Sequence, residues 1–336
     1  MFYKVDGERF LVLAAAMDDF TIITNSHVLL TKTKAQLNHH FKLIDLGNIN
    51  WLLGISVTHN LENKTIALGQ QAYIEQILAC FRLSNTCLDV TPMEPGADYH
   101  PNSPGVLPTL LTPTEKMMYC EMISSLMYCV TMTRPNITYA VLTLSQFLKA
   151  LRFTHMKAVK HVFCYLLGTK KLKLVLSGNV TIAKFSNADW ASQHHPHSIS
   201  GFTYFVGLGT VSWNAKKQPI ITLSSAEAKY VALTHAAKDN LWIHKLLTFL
   251  HTLSLPTVLY CDNQGAICLS KDATFHGHTK HIDIHFHFIR QTITSGNIRL
   301  TYILTEDMTV DIFMKSLARI KFEKFRDELN VMWPCP

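Results

Sequence analysis

Apolar residues run over 10–16 and again over 20–24, separated by Met17-Asp18-Asp19. That pattern predicts two strands joined by a tight turn. Over 28–41, Leu29, Leu30, Leu37 and Phe41 fall on one side at helical spacing. Alternation over 51–57 and 65–68, around Asn60-Leu61-Glu62-Asn63, predicts a hairpin, and 72–81 reads as an amphipathic helix. From 92 to 113 the pattern stops. Pro95, Pro101, Pro104 and Pro108 with Gly96 and Gly105 mark a loop or linker. Thr114 then signals a helix start, and helical spacing continues to 176, broken once at Arg134-Pro135-Asn136. A strand follows over 180–187, then a hairpin over 200–213 turning at Gly207-Leu208-Gly209. A long helix begins after Ser224 or Ser225 and ends near 250. The remainder reads as a strand over 257–261, a helix from 264, a helix over 282–294, a strand over 298–304 and a last helix from 308. Three antiparallel strands followed by strand–helix crossovers predict an α/β domain with a mixed five-stranded sheet covered by helices.

With 336 residues, two or three domains are expected, and a hydrophobic fraction of 48% provides for a large core. The shifts in pattern divide the chain into 1–90, 91–114, 115–176 and 177–336. Net charge is +7, and its distribution says more than its size. Between Met122 and Ala188 there is no Asp or Glu, while Arg134, Lys149, Arg152, Lys157, Lys160, Lys170, Lys171, Lys173 and Lys184 all lie there. Helices carrying such a one-signed face suit contact with phosphates. A solvated basic face over an aromatic core explains the same residues without a ligand. None of the eight Cys forms a CxxC pair, so reduced thiols and an intracellular protein, cytoplasmic or nuclear rather than secreted, are expected. The apolar run at 10–17 is short and flanked by Asp6 and Glu8, which suits a strand better than a signal peptide. No run reaches the roughly 18–20 apolar residues that span a bilayer, so no membrane partner is expected.

The candidate chemistry lies at element ends. Asn187 and Asp189 close the first strand of the C-terminal domain, Asp262 follows its fourth, Glu227 lies in the first turn of the long helix, and Asp311 opens the last helix. Ligands of open α/β sheets bind at the carboxyl ends of parallel strands. Carboxylates gathered there repel unless divalent cations sit between them. Acids also cap helices with no metal involved. Asp18-Asp19 has the same two readings: an Asp-rich turn, or a pair of metal ligands at a hairpin tip. His276, His278, His281, His285 and His287 form a further group. His281 and His285 are spaced to share a helix face for zinc, but no Cys or His grouping elsewhere completes a standard pattern, and a surface or nucleic-acid-facing group is the better reading.

These residues resemble the Pol polyprotein of copia-type LTR retrotransposons, over almost the whole chain. The resemblance is carried by Asp45-Leu46-Gly47, Leu52-Leu53-Gly54-Ile55, Ser125-Leu126-Met127-Tyr128 and Thr133-Arg134-Pro135-Asn136-Ile137. It continues through Leu166-Leu167-Gly168-Thr169, Ala188-Asp189-Trp190-Ala191, Ser200-Gly201, Ser212-Trp213 and Lys217-Gln218. Leu223-Ser224-Ser225, Glu227-Ala228, Cys261-Asp262-Asn263-Gln264 and Thr279-Lys280-His281-Ile282-Asp283 complete it. It implies a partial reverse transcriptase palm and the start of a thumb over 1–90, a Pro-rich linker, a basic helical thumb or connection region over 115–176, and a ribonuclease H-like domain over 177–336. Asp18 and Asp19 match the polymerase double aspartate, here preceded by Ala16-Met17. The family's third polymerase aspartate is expected upstream of Met1, which implies no polymerisation by this chain alone. In the ribonuclease H part, Glu227, Asp262 and Asp311 match three of four magnesium-binding carboxylates, and the fourth place holds Asn187. An amide carries no charge, so Mg2+ binding is expected to be weakened. Asp189 would share the strand face with Asn187, roughly 6–7 Å along it. Lys229 stands where the family has an acid, His197 and Ile199 where it tends to have Arg and Thr, and His278 where it has Arg.

The resemblance therefore implies a retrotransposon fragment that binds RNA–DNA hybrid through Arg134, Lys149, Arg152, Lys157, Lys160 and Lys280. Its ancestral activity is magnesium-dependent hydrolysis of the RNA strand. Whether it is an enzyme stays open: impaired hydrolysis through Asn187, an active ribonuclease H completed by Asp189, and a non-enzymatic nucleic-acid-binding module are the three readings. The remainder of the polyprotein is a further expected partner.

Overall fold

The computed structural model describes residues 1–16, 18–100, 109–148, 151–178, 181–190, 197–250, 256–271 and 283–333, with side chains of 283–287 excepted. The fold divides into two compact units.

The smaller unit is an antiparallel meander, β1 (Phe2–Asp6), β2 (Arg9–Ala16) and β3 (Asp19–Thr24), followed by α1 (His27–His40). Ser26 caps α1 by accepting the Leu29 N–H at 3.4 Å. The end of the long helix, from Trp242, belongs to this unit, where Phe249 lies 5.8 Å from the Tyr3 ring.

The larger unit holds two five-stranded sheets. One is wholly antiparallel, in the order β13-β7-β6-β5-β4. Its strands are β4 (Trp51–Leu52), β5 (Ile55–Asn60), β6 (Thr65–Gly69), β7 (Lys173–Leu176) and β13 (Val331–Met332). Residues 173–176, expected to end a helix, are thus a strand. Leu172 and Leu174 are buried, and β6 and β13 take up the backbone hydrogen bonds of β7 on its two sides. This sheet joins segments from the palm-like, helical and C-terminal parts, so the sequence-based divisions at 90 and 176 do not coincide with the compact units.

The helices α2 (Gln71–Cys80), α3 (Pro113–Met132), α4 (Thr138–Ser145) and α5 (Phe153–Thr169) build one core with a short C-terminal helix, α9 (Arg319–Glu328). The cap of α3 is Thr112 rather than Thr114. Its hydroxyl accepts the Glu115 N–H at 3.3 Å, and the Glu115 carboxylate accepts the Thr112 N–H at 2.8 Å. The described ends of the expected linker are anchored rather than free: Met93 and Leu111 are buried in this core.

The second sheet runs β10-β9-β8-β11-β12. Its strands are β8 (Ile182–Asp189), β9 (Ile199–Val206), β10 (Gly209–Lys217), β11 (Thr257–Cys261) and β12 (Ile298–Tyr302). The first three pair antiparallel, and β11 is parallel to both β8 and β12. One face packs on α6 (Ser225–Phe249), α7 (Gln264–Lys271) and α8 (Asp283–Thr294) through Phe202, Tyr230, Leu233, Leu259, Ile267 and Ile289. The other meets the α2–α5 core through Phe205 and the buried Val310 and Phe313. Among the described residues, no helix is long and apolar enough to cross a membrane.

Candidate functional site

Strand alternation sorts β8 into two faces. Lys184, Ser186 and Ala188 point towards α6. Phe185, Asn187 and Asp189 point towards a 3₁₀ turn at Thr309–Phe313. Ala188 packs on Ala228 and Ala232, and these small residues let the start of α6 come close to the strand end. Parallel pairing of Tyr260 with Phe185, rings stacked at 4.9 Å, sets Asp262 level with Asn187 along the sheet. The 3₁₀ turn reaches β8 because Gly201, paired with Asn187 across the strands, has no side chain: a Cβ there would lie 2.9 Å from Val310 Cγ1. Asp311 is therefore carried by this turn, and not by the opening of the last helix.

Four of the expected residues meet in one cluster, and a fifth stands at its edge. Asn187 is buried; its Nδ2 donates to Asp311 Oδ1 at 2.9 Å, and its Oδ1 accepts the Ala188 N–H at 2.8 Å. Only this amide orientation gives both neighbours a complementary partner. Asp311, also buried, accepts from Lys315 Nζ at 3.2 Å on each oxygen and has Lys321 Nζ at 3.5 Å. Asp262 accepts Lys229 Nζ at 2.6 Å and Thr305 Oγ1 at 3.1 Å. Burial raises the Asp189 carboxyl above its ordinary value, with Asp311 pushing the same way and Lys315 and Lys229 opposing. Glu227 lies at the edge, where it accepts the Leu223 N–H at 2.5 Å while its own N–H binds Ser224 Oγ at 3.2 Å. It acts there as part of the helix start.

This donor set does not fit magnesium as it stands. Mg2+ demands near-octahedral oxygen ligation with carboxylate and water oxygens open to it. Here an amide N–H and three ammoniums already take up the carboxylates of Asp311 and Asp262, and among the described residues no group of three or more His, Cys, Asp or Glu could hold a metal. Lys315, Lys321 and Thr305 had no motif to reveal them in the sequence; Lys315 follows the 3₁₀ turn, Lys321 lies on α9 and Thr305 in the loop after β12.

The basic residues divide. Lys157 and Lys160 are exposed on α5, and Arg152 is half-buried at its N-cap. Arg134 is fully buried, which removes it from any phosphate-facing surface. Its Nε donates to Asn136 Oδ1 at 3.2 Å, and its remaining nitrogens donate to the Thr169 carbonyl at 3.1 Å and hydroxyl at 2.8 Å. Lys184 is likewise enclosed, paired with Asp239 at 2.8 Å. Lys149, Lys280 and the His276–His287 side chains lie outside the described residues. Asp18 and Asp19 are exposed at the β2–β3 turn, with Asp19 paired to Ala16.

A sheet ordered third, second, first, fourth, fifth, with acidic groups at the ends of its adjacent parallel strands, defines a ribonuclease H-like domain. The family profile described as Reverse transcriptase (RNA-dependent DNA polymerase) matches residues 1–95. The Pol polyprotein from transposon TNT 1-94 of Nicotiana tabacum is 32% identical over 327 residues, 96% of this chain and 24% of that protein. That from transposon RE1 of Arabidopsis thaliana is 33% identical over 336 residues, 98% of this chain and 22% of the relative. The structure of the foamy viral protease-reverse transcriptase dRH in complex with double-stranded DNA aligns at 12% identity and a TM-score of 0.48, covering 87% of this chain and 46% of that one. This chain belongs to the Pol polyprotein family of copia-type retrotransposons. It spans about a quarter of the length of these two Pol polyproteins.

Proposed function

We propose that this chain is a reverse transcriptase/ribonuclease H segment that holds RNA–DNA hybrid and whose hydrolytic centre is silent. The observation that carries this reading is the Asn187 amide, which donates a hydrogen bond to Asp311 at the place where the family resemblance expects the central metal-binding carboxylate. A carboxylate there would repel Asp311 and draw a cation in; an amide satisfies Asp311 directly and removes that attraction. Mg2+ is the ancestral cofactor in this reading, and the RNA strand the ancestral substrate. The binding surface is α5, where Lys157 and Lys160 are exposed and Arg152 flanks them, with Glu115 of α3 within electrostatic reach of Lys160. Asp18 and Asp19 take the places of the polymerase double aspartate on their hairpin. The test is to incubate the chain with a labelled RNA–DNA hybrid and Mg2+ and to measure cleavage beside salt-dependent binding. Salt-sensitive binding without cleavage is expected. Cleavage by the unaltered chain overturns the reading, as does binding that does not weaken with salt.

A further inference from the structure

The Asn187 substitution accounts for one carboxylate of the cluster only. Asp262 is closed by a different group. Its side chain has no exposed surface; one oxygen receives Lys229 Nζ at 2.6 Å and the other Thr305 Oγ1 at 3.1 Å. The Lys229 side chain is itself only 16% exposed, so its ammonium cannot swing into water as readily as those of Lys315 and Lys321, at 39% and 40%. α6 is held at this distance by the contact of Ala228 and Ala232 with Ala188. Its first turn is tied to β9 by Gln218, whose Nε2 donates to Ser200 Oγ and the Ala228 carbonyl, each at 2.8 Å. The position of Lys229 is therefore fixed by packing on both sides of its turn.

We propose that Lys229 is a resident cation of this centre: its ammonium takes up the Asp262 oxygen that a divalent ion would need, and it keeps the site metal-free even when a carboxylate is restored at position 187. The proposal rests on the silent-centre reading and adds a second, independent cause. Three carboxylates (Asp189, Asp262 and Asp311) are met by three ammoniums (Lys229, Lys315 and Lys321). A divalent ion entering beside Lys229 meets a like charge at contact range. Displacing Lys229 instead leaves a largely enclosed ammonium without its partner, which is strongly unfavourable. Asn187 and Lys229 act on different carboxylates, so correcting one leaves the other in force.

The experiment uses the full chain and Mn2+ as the probe, with bound ion measured by loss of the free Mn2+ electron paramagnetic resonance signal. Four forms are compared: unaltered, Asn187→Asp, Lys229→Gln, and the double variant. Gln keeps a donor for Asp262 while removing the charge. The double variant is expected to bind Mn2+ at least about tenfold more tightly than Asn187→Asp, which corresponds to about 1.4 kcal/mol. Asn187→Asp combined with Lys229→Arg, which keeps the charge, is expected to stay as weak as Asn187→Asp alone. Equal affinity of Asn187→Asp and the double variant overturns the proposal. Should circular dichroism show the double variant unfolded, Asn187→Asp combined with Lys229→Ser makes the same comparison against Asn187→Asp, and no gain there overturns it. Hybrid cleavage in the same samples separates the two readings. Cleavage by the unaltered chain defeats the silent-centre reading, whereas cleavage by Asn187→Asp but not by the unaltered chain defeats only the role of Lys229.

Discussion

Replacing Asp239 by Asn should test how the central strand of the ribonuclease H-like sheet is held against α6. Lys184 projects from β8 with no exposed side-chain surface, and its Nζ lies 2.8 Å from Asp239 Oδ2. The ammonium also sits 4.3 Å from the Phe202 ring centre and 5.1 Å from that of Tyr204. Burial pulls the Lys184 pKa down from 10.5 to about 8, with Asp239 acting in the opposite direction. A depression of that size corresponds to roughly 3 kcal/mol against the charged form even with Asp239 present. Asp239→Asn keeps the shape and removes the anion; Lys184 then sheds its proton in the folded state, which from a pKa of about 8 costs about 1.4 kcal/mol at pH 7, and with the weakened hydrogen bond a loss of about 2 kcal/mol at pH 7 is expected. The sign of the pH dependence follows from the pKa order. The folded value is below the unfolded one, so between about pH 8 and 10.5 the unfolded chain binds more protons, and stability rises with pH. Lys184 is then neutral in the folded state, and the effect of Asp239→Asn should shrink to about 1 kcal/mol near pH 9.5, the value of an ordinary hydrogen bond. Lys184→Met should cost less than Asp239→Asn, about 1 kcal/mol or less, because it removes the enclosed charge and leaves Asp239, whose side chain is 23% exposed, with solvent. Urea titrations followed by circular dichroism at the two pH values measure all of this. A loss for Asp239→Asn that is the same at both, or one smaller than that of Lys184→Met, would refute the reasoning.

Three further outcomes are expected. Asn136→Asp gives the enclosed Arg134 guanidinium, whose hydrogen-bond partners are all neutral, a charged acceptor at the 3.2 Å contact, while Tyr165 Oη turns from acceptor to donor. A gain of about 1 kcal/mol in urea denaturation is expected, and a loss of that size contradicts it. Gly201→Ala drives a methyl into Val310 and Met314 and should cost about 1–3 kcal/mol; an unchanged thermal midpoint would show that the 3₁₀ turn carrying Asp311 yields without strain. Lys157→Ala with Lys160→Ala should weaken hybrid binding and flatten the slope of log affinity against log salt by about 2, and an unaltered slope would move the binding surface away from α5.

Much of the ribonuclease H-like sheet was legible from local pattern. The hairpin at Gly207-Leu208-Gly209, the start of α6 after Ser224 and the place of Asp262 just beyond β11 all depend on residues close together in the chain. The acid-free span was harder to read, because a run of positive charge does not say which members are enclosed. Arg134 and Lys184 look like Lys157 and Lys160 in sequence. Arg134 is enclosed by Thr169, a residue 35 positions away, and Lys184 by Asp239, 55 away. β7 was misread for a related reason: its partners are 67 and 331 among others, and four residues carry too little period to separate strand from helix.

The sequence by itself determined the family, the order of the elements in the ribonuclease H-like part and which acids could gather at one end of its sheet, because these follow from motif order and from periodicities of about 2 and 3.6 residues. It also exposed Asn187, whose identity needs no coordinates. What only the tertiary structure decided is how those groups are paired. Gly201 admits the 309–313 turn, which brings Asp311 to Asn187, and Ala188 admits α6, which brings Lys229 to Asp262. Charge balance is a property of distances between side chains carried on separate elements, and those distances are set by the packing of the strands, turn and helix on one another.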